Sequence, residues 1–432
     1  MKDSGVAWVG VIPHQWSVVR GKDMLLERTE LSKYGDEELL SVSTYTGIKP
    51  RRDMIDADDS LSRADSLVGY KICYSGDIVI NTMLAWNGSI GLSNYAGIVS
   101  PAYAVYKLRK EFAPKFVEYL LRSEATLIKI RAESRGINDA RLRLYPDSLF
   151  AIQFGAPSYL EQRAIADYLD QQTALIDQRL STLEEKKTVL AELRKATIHE
   201  AVTKGLNKNA SMKDSGVAWI GEIPQGWQPS PFKDNLLFMS RGVQPIYAND
   251  TDFFVTNQAC LSTYQMRQEK KKECEPLTGE RGRYKCGDVL VASTGEGVLG
   301  KCVLSEEVSY CDSHVSILRA KNAATGKFIF YWLSANYETV NSIFAKGSTK
   351  QTELQKEAFL AFKIGFPPLD EQLDIASHLD QQTQQIDAQL ATLDEQAQVL
   401  KELRKAIIHV AVTGKNELPS PAGGRRAGDE GR

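Results

Sequence analysis

Residues 161–177 read EQRAIADYLDQQTALID, and residues 371–387 read EQLDIASHLDQQTQQID. Both copies continue to ELRKA, at 192–196 and 402–406. Within each copy, apolar or small side chains recur in alternating steps of four and three residues, the spacing with which helices pack as coiled coils. The stepped positions are Leu169, Thr173, Ile176, Leu180, Leu183 and Leu190 in the first copy, and Leu379, Thr383, Ile386, Leu390, Leu393, Ala397 and Leu400 in the second. We predict two long helices that pack on each other through these leucines and isoleucines, with Lys187 interrupting the first stripe.

The flanking residues predict where these helices begin. Ser158 and Glu161 follow Pro157 in a capping-box pattern, and Pro367-Pro368 delays the second start to about Asp370. Each helix would run roughly 45 residues, or about 65–70 Å. A lone amphipathic helix of that length needs a partner to cover its apolar stripe. If a two-fold axis relates the copies, the helices run antiparallel, and a globular domain lies at each end of the pair.

A second repeat opens each half of the chain. Residues 2–16 read KDSGVAWVGVIPHQW, and residues 213–227 read KDSGVAWIGEIPQGW. The segments that follow, 17–156 and 228–366, have nearly equal length but share few residues beyond Gly76-Asp77 with Gly287-Asp288 and Gly136 with Gly347. The chain is therefore two copies of one plan, in which a common scaffold presents two different binding surfaces.

The variable segments read as mixed α/β domains. Each Gly-Asp pair precedes a β-branched or apolar run, a turn-then-strand signal, and residues 114–133 and 326–345 read as helices. We predict five regions: a motif and first domain at 1–157, a spacer helix at 158–204, a repeated motif and second domain at 205–367, a second spacer helix at 368–414, and a disordered tail at 415–432.

Composition excludes several classes of protein. The 432 residues carry a formal net charge of −2, which argues against binding nucleic acid through bulk positive charge but permits local basic patches. No apolar run approaches the roughly 18–20 residues that cross a bilayer, and no signal peptide opens the chain, so we expect a cytoplasmic protein. The six cysteines form no CxxC pair, which favours free thiols over structural zinc.

The ordered set of motifs resembles the specificity subunits of type I restriction-modification systems. The resemblance is carried by SGVAW-x-G-x-IP-x-x-W at the start of each half and by P-x-x-x-EQ-x-x-IA-x-x-LD at the start of each helix. Gly-Asp before a strand and GSTKQTEL at 347–354 also fit, whereas the first half departs from the last motif and reads GINDARL at 136–142. The resemblance covers nearly the whole chain, with only the tail excluded.

This resemblance implies a mixed α/β fold with two target-recognition domains, separated by two long antiparallel coiled-coil helices and related by an internal pseudo-two-fold repeat. It implies a non-catalytic subunit that reads double-stranded DNA, each domain taking half of a bipartite asymmetric site while the helices set the spacing. The implied partners are two methyltransferase subunits and two restriction subunits. No association with a membrane is implied. S-adenosylmethionine, ATP and Mg²⁺ are expected on those partners, with no cofactor or metal in this chain.

Direct readout of bases uses Arg or Lys for guanine, Asn or Gln for adenine, and hydroxyl groups for either. On that chemistry the first domain offers Thr44, Tyr45, Arg51, Arg52, Asn81, Thr82, Trp86, Asn87, Asn138, Arg141 and Arg143. The second offers Gln258, Thr263, Tyr264, Ser293, Thr294, Lys346, Ser348, Lys350 and Gln351.

Two other functions fit the sequence less well than DNA reading. A catalytic adenine methyltransferase would carry an Asn/Asp-Pro-Pro-aromatic motif, which this sequence lacks. A coiled-coil scaffold that binds only protein explains the helices but not two divergent domains of similar length. Gly295–Gly300 matches GxGxxG, but a strand-like run rather than a helix follows it, which argues against a dinucleotide site.

Overall fold

The computed structural model describes residues 1–44, 47–53, 66–137, 141–262, 264–295, 297–346 and 353–415. The predicted tail lies outside them from residue 416 onward. The chain divides into two compact units: the first comprises Met1–Leu183 with Glu395–Arg432, and the second Glu184–Asp394. Each unit thus contains the first half of one long helix and the last half of the other, a division that falls inside the two predicted spacer regions.

The first unit is built on a four-stranded antiparallel sheet in the order β4-β11-β8-β9. The antiparallel pairs β1–β2, β3–β12, β5–β6 and β7–β10 complete its strands. The strands are β1 (Lys2–Asp3), β2 (Val11–Ile12), β3 (Ser17–Arg20), β4 (Leu25–Glu27), β5 (Leu40–Ser43), β6 (Gly47–Pro50), β7 (Lys71–Cys73), β8 (Ile78–Asn81), β9 (Ile90–Leu92), β10 (Gly97–Val99), β11 (Tyr103–Leu108) and β12 (Gln153–Ala156).

The short helices of the first unit are α1 (Gly21–Met24), α2 (Pro114–Arg122), α3 (Glu124–Glu133) and α4 (Pro146–Ala151). Pro114 and Pro146 open α2 and α4, where the missing N–H of proline costs no hydrogen bond. Helix α2 buries Phe116, Val117 and Leu120 in the core. The predicted helix 114–133 is therefore present, divided at Ser123, whose backbone is extended.

The second unit repeats this plan with the antiparallel sheet β16-β23-β20-β21 and the pair β15–β26. It adds a sheet in the order β18-β17-β22-β19, in which β17 and β22 run parallel. The strands are β13 (Met212–Asp214), β14 (Glu222–Pro224), β15 (Gln228–Pro231), β16 (Leu236–Arg241), β17 (Phe254–Thr256), β18 (Lys272–Glu273), β19 (Arg283–Tyr284), β20 (Val289–Ala292), β21 (Cys302–Leu304), β22 (Ser309–Cys311), β23 (Val315–Ala320), β24 (Ala345–Lys346), β25 (Glu353–Leu354) and β26 (Lys363–Phe366).

An aromatic core distinguishes the second unit. Its short helices are α6 (Ala323–Ala335), α7 (Tyr337–Phe344) and α8 (Lys356–Ala361). Phe232 stacks on Phe359 with ring centroids 4.9 Å apart and meets Trp332 edge-on at 5.6 Å. Trp227, from the repeated opening motif, packs edge-on against Phe328. Strand β21 follows Gly300 where a dinucleotide site would need a helix, which agrees with the sequence argument against such a site.

The two long helices are α5 (Tyr159–Lys204) and α9 (Leu369–Thr413). Ser158 accepts a hydrogen bond from the Glu161 N–H at 3.4 Å, so it caps α5, and α9 begins one residue before the predicted start. Burial follows the four-three stripe. Leu169, Ile176, Leu183, Leu379 and Ile386 are buried, and the half-buried stripe positions are Leu180, Lys187, Leu190, Leu390, Leu393, Ala397 and Leu400.

Ion pairs establish the antiparallel direction of the helices within the second unit. Asp387 pairs with Arg194, and Asp394 pairs with Lys187 at 2.8 Å. Seven residues forward along α9 correspond to seven residues backward along α5, which only antiparallel helices allow. In the first unit the equivalent pair is Asp177 with Arg404 at 3.1 Å. Lys187, which interrupts the apolar stripe, therefore contributes an ion pair across it.

None of the described helices is both long and apolar enough to cross a membrane.

Candidate DNA-binding surface

The two Gly-Asp turns lead into the strands β8 and β20, and several candidate residues lie at the far ends of these strands. Gly76 and Gly287 have φ values of 91° and 87°, which only glycine adopts without strain, so both are turn glycines as predicted. Asp77 is buried, accepts the Tyr74 N–H at 2.8 Å and pairs with Arg28 at 2.7 Å. Each turn leads into a fully buried strand, β8 or β20.

The far end of β8 brings several first-unit candidates together. The Asn81 amide oxygen accepts the Met83 N–H at 3.2 Å, and the Thr82 hydroxyl donates to the Ala102 carbonyl at 2.8 Å. The Leu144 N–H donates to the Thr82 carbonyl at 2.9 Å, which places the segment from Arg141 onward beside this loop. Asn81 is buried, so its amide shapes the loop, while Arg141 and Arg143 are exposed.

An arginine-rich surface surrounds Trp86 in the same loop. The Trp86 indole N–H donates to the Met83 carbonyl at 3.1 Å, and the Arg131 guanidinium lies over the indole ring at 5.1 Å. Arg135 and Arg143 pair through their backbones. We define this surface as the arginine surface; its members are Trp86, Asn87, Arg131, Arg135, Arg141 and Arg143, and all but Trp86 are exposed.

Arg131 and Arg135 were not among the predicted residues. Arg131 lies on α3 and Arg135 just after it, so they join Arg141 and Arg143 only through the fold. Their signal in the sequence is the density of arginines on both sides of Gly136. A locally basic surface with an aromatic ring is the composition that nucleic-acid interfaces favour.

Thr44, Arg51 and Arg52 lie around the β5–β6 hairpin. The Thr44 carbonyl accepts from the Arg122 Nη2 at 2.7 Å, and Arg122 Nη1 donates to Ile90 on β9. Burial lowers the pKa of Arg122. Arg52 is exposed and pairs with Glu38 at 2.9 Å, so part of its charge is already neutralised.

The equivalent strand end in the second unit carries hydroxyl, amide and imidazole groups. The Thr294 hydroxyl donates to the Gln258 Oε1 at 3.0 Å and lies 2.6 Å from the His314 Nδ1. Ser293 is buried; its N–H donates to the His314 carbonyl, and its hydroxyl bonds to Ser316. Next to His314, the Ser313 hydroxyl donates to the Gln244 side chain at 3.0 Å. We define the polar surface as these residues together: Gln258, Thr294, His314, Gln244 and Ser313.

Sequence reasoning missed His314, Gln244 and Ser313. They lie in turns outside the predicted strands, and only the pairing of β20 with β23 brings His314 to Thr294. Arg241 on β16 and Glu353 on β25, whose side chains pair at 2.5 Å, were also missed, because they are far apart in the sequence.

The remaining candidates are placed differently. Tyr264 is half-buried, and its ring lies beneath the Arg194 guanidinium at 4.2 Å. Lys346 pairs through its backbone with Glu353 in β24–β25. Tyr45, Asn138, Thr263, Ser348, Lys350 and Gln351 lie outside the described residues, as does most of the 347–354 motif.

Both units contact the long helices through the same repeated residues. The Tyr119 hydroxyl lies 2.7 Å from Asp170 and 3.1 Å from the Thr173 hydroxyl, and the Tyr331 hydroxyl bonds to Asp380 at 2.7 Å. Burial raises the pKa of Tyr119 to about 12, so it remains a neutral donor at physiological pH. The repeated Leu-Asp-Gln-Gln-Thr thus fixes each surface relative to the helix residues of its own unit.

The described residues contain no group of three or more His, Cys, Asp or Glu side chains that could hold a metal ion. All six cysteines are free: Cys286 is exposed, and Cys73, Cys260, Cys274, Cys302 and Cys311 are buried.

Comparison with known proteins points to one family. Residues 278–396 match the family model of the type I restriction modification DNA specificity domain. The MjaVIII specificity subunit of Methanocaldococcus jannaschii, a type I restriction enzyme subunit, is 23% identical over 94% of this chain and 93% of its own length. The EcoDI specificity subunit of Escherichia coli is 21% identical over 69% of each chain.

Two solved structures share the fold. A chain solved in work on complex assembly and conformational transition of the type I R-M system superposes with a TM-score of 0.72 at 17% identity, covering 94% of this chain and all of that one. The HsdS subunit from Thermoanaerobacter tengcongensis gives 0.54 at 18% identity, over 96% of this chain and all of the other. With two mixed α/β units, paired antiparallel helices and relatives that align along nearly its whole length, the chain is similar to the specificity subunits of type I restriction-modification systems.

Proposed function

We propose that the arginine surface and the polar surface each read one half of a bipartite, asymmetric DNA site. One observation carries the proposal: the two surfaces occupy the same topological place, after β8 and after β20, and present different chemistry. Arginine side chains suit guanine O6 and N7, whereas glutamine, hydroxyl and imidazole groups suit other base edges. A repeated scaffold with unlike surfaces would make the recognised sequence asymmetric.

The chain acts as a non-catalytic specificity subunit, and chemistry belongs to its partners. Methylation of adenine requires the base to be flipped out of the duplex into a methyltransferase pocket. We assign S-adenosylmethionine, ATP and Mg²⁺ to the partner subunits. Because the net charge is −2, long-range attraction to phosphates is weak, and we expect tight binding only in the assembled complex.

Exposed apolar pairs on the long helices are suitable docking sites for the methyltransferase subunits. Val189 and Leu193 are 61% and 51% exposed, and Val399 and Leu403, 210 positions later, are 66% and 43% exposed. The two residues of each pair are one helical turn apart, and an apolar surface on a partner would bury both of them. Two equivalent pairs favour two methyltransferase subunits, with two restriction subunits joining for cleavage.

A scaffold that binds only protein would use the same helices. It gives no role to two unlike surfaces at equivalent strand ends, and the specificity-domain match in the second unit does not favour it.

Methyladenine mapping of the host genome tests the proposal. Deletion of this gene should remove methylation from one bipartite motif, and the wild-type gene should restore it. Replacement of Arg141 and Arg143 by alanine should relax one half of the motif by about 1–3 kcal/mol per lost contact. R109A is the control, because Arg109 is an exposed arginine of the same unit that is not among the candidate residues. An unchanged methylation map in a strain expressing the whole complex would contradict DNA reading.

A further inference from the structure

Arg194 joins a long helix to a loop of the second recognition domain. It follows Leu190 by one step of the apolar stripe in α5, and its side chain is only 11% exposed. On one side its guanidinium pairs with Asp387 of α9. On the other side it lies over the Tyr264 ring, 4.2 Å from the centroid. A shift of α5 relative to α9 near Arg194 would therefore move the group that covers the Tyr264 ring.

Tyr264 lies in a tight hairpin, closed by the bridge between Leu261 and Met266, and its own backbone holds an uncommon conformation. Its φ is 81°, in the left-handed region that side chains other than glycine rarely adopt; among the described non-glycine residues only Asp250 shares a positive φ. The Ser262 N–H donates to the Gln265 carbonyl at 3.1 Å, and the Arg267 N–H to Cys260 at 2.8 Å. Such a conformation persists only where surrounding contacts hold it.

The contacts that hold Tyr264 are on its ring. The ring is half-buried against the core of the second unit and is covered by Arg194. Planar guanidinium groups stack on aromatic faces in a way that an ammonium group does not reproduce. The ring is therefore an anchor, although its residue type had suggested direct contact with DNA.

The hairpin borders the polar surface. The short helical turn Gln258–Cys260 leads directly into it, and Gln258 accepts the Thr294 hydroxyl at 3.0 Å. Gln265 on the hairpin and Arg267 directly after it are exposed. The position of Tyr264 thus bears on where Gln258, Gln265 and Arg267 can meet a base or phosphate.

The first unit lacks this connection in the part of the chain that is described. Its equivalent pair, Asp177 with Arg404, is made at 3.1 Å, but Arg404 is 39% exposed. Among the described residues no aromatic ring lies over its guanidinium. The two units can therefore be compared directly, because both have the ion pair but only the second has the aromatic ring stacked on its arginine.

We propose that Arg194 is a positioning residue for sequence recognition, which holds this hairpin through the Tyr264 ring and so sets discrimination at one half-site only. This inference rests on the proposed DNA-reading function. Arg194 itself need not touch DNA. Its effect would be to fix the groups at the hairpin in the geometry that distinguishes the correct bases.

The test uses the full chain assembled with its methyltransferase subunits. Methylation is measured on a pool of duplexes in which each position of the genome-mapped site is varied singly. R194K keeps a charge for Asp387 but loses the planar stack, and should reduce discrimination about tenfold at positions of one half-site while leaving the other unchanged. R404K, the matched control, should leave both unchanged.

Variants at Tyr264 separate this role from a general loss of stability. Y264F keeps the ring and should behave as wild type, whereas Y264L should reproduce R194K. Wild-type discrimination in both R194K and Y264L, or an equal loss at both half-sites, would overturn the inference while leaving DNA reading intact. A wild-type complex that methylates without sequence preference would instead overturn the proposed function, and the inference with it.

Discussion

Asp77 and Asp288 occupy the same turn in the two units but obtain their arginine from different strands. Asp77 pairs with Arg28, which directly follows β4, whereas Asp288 pairs with Arg319 on β23 through two bonds of 2.8 and 2.6 Å. Lys107, at the register position of Arg319 in the first unit, is exposed. The need to neutralise a buried carboxylate persists in both copies, while the residue that meets it has changed.

Removal of either carboxylate gives the largest expected effect. D77A and D288A each leave a largely buried arginine unpaired and a turn N–H without its acceptor, so we expect about 3 kcal/mol of destabilisation in the affected unit. Hydrogen exchange, followed separately in the two units, measures it. K107A should change stability by less than about 0.5 kcal/mol. Equal effects of K107A and D77A would show that the arginine assignment in the first unit is wrong.

A smaller difference separates the two framework tryptophans. Both Trp16 and Trp227 are buried, but the Trp16 indole N–H donates to Glu161 at 2.9 Å. The buried Trp227 N–H has no hydrogen-bond partner among the described residues. The repeated tryptophan and glutamate therefore do not guarantee the repeated bond.

Phenylalanine substitutions sharpen this contrast. W16F and W227F lose similar ring volume, but only W16F loses a hydrogen bond, so it should be more destabilising by about 1 kcal/mol. Thermal unfolding of the two variants under the same conditions provides the comparison. If W227F were the more damaging change, the indole of Trp227 would have to make a bond in solution.

The smallest expected effect concerns His199 and His409, which lie 210 positions apart near the helix ends. Burial, followed by nearby lysines, lowers the pKa of both, but Glu124 partly opposes this at His409. Because the folded state binds a proton less readily than the unfolded state, this contribution to stability is present above pH about 6.5 and is lost as pH falls below it.

Glutamine variants test the sign of this dependence. H199Q and H409Q should each reduce the loss of thermal stability between pH 7.5 and 5.5, and H199Q should do so more, since no carboxylate opposes burial there. A steeper loss of stability in either variant would contradict the stated direction of the pKa change.

The helices and their packing stripe were predictable because their pattern is local and occurs twice. Ser158 caps α5 as expected, and burial recurs along the four-three positions. The additional sheet β18-β17-β22-β19 was not anticipated, because short strands joined across long loops leave little periodic signal.

The candidate surfaces could be predicted only as residue types. Composition identified Asn81 and Ser293 as possible readers, but the fold buries both and uses them in turns. It could not identify His314 or Arg131, because their neighbours Thr294 and Trp86 are distant in sequence. Side-chain chemistry is a local property, whereas exposure is set by long-range pairing of strands.

The distribution of thiols makes the second unit open to selective chemical labelling. Burial raises the pKa of Cys73 to about 11 and that of Cys302 to about 12, so neither forms the reactive thiolate near neutral pH. Cys286 is the exposed one of the six. A maleimide dye on native protein would therefore attach at Cys286, directly before Gly287-Asp288, and its fluorescence would report on that turn in the assembled complex.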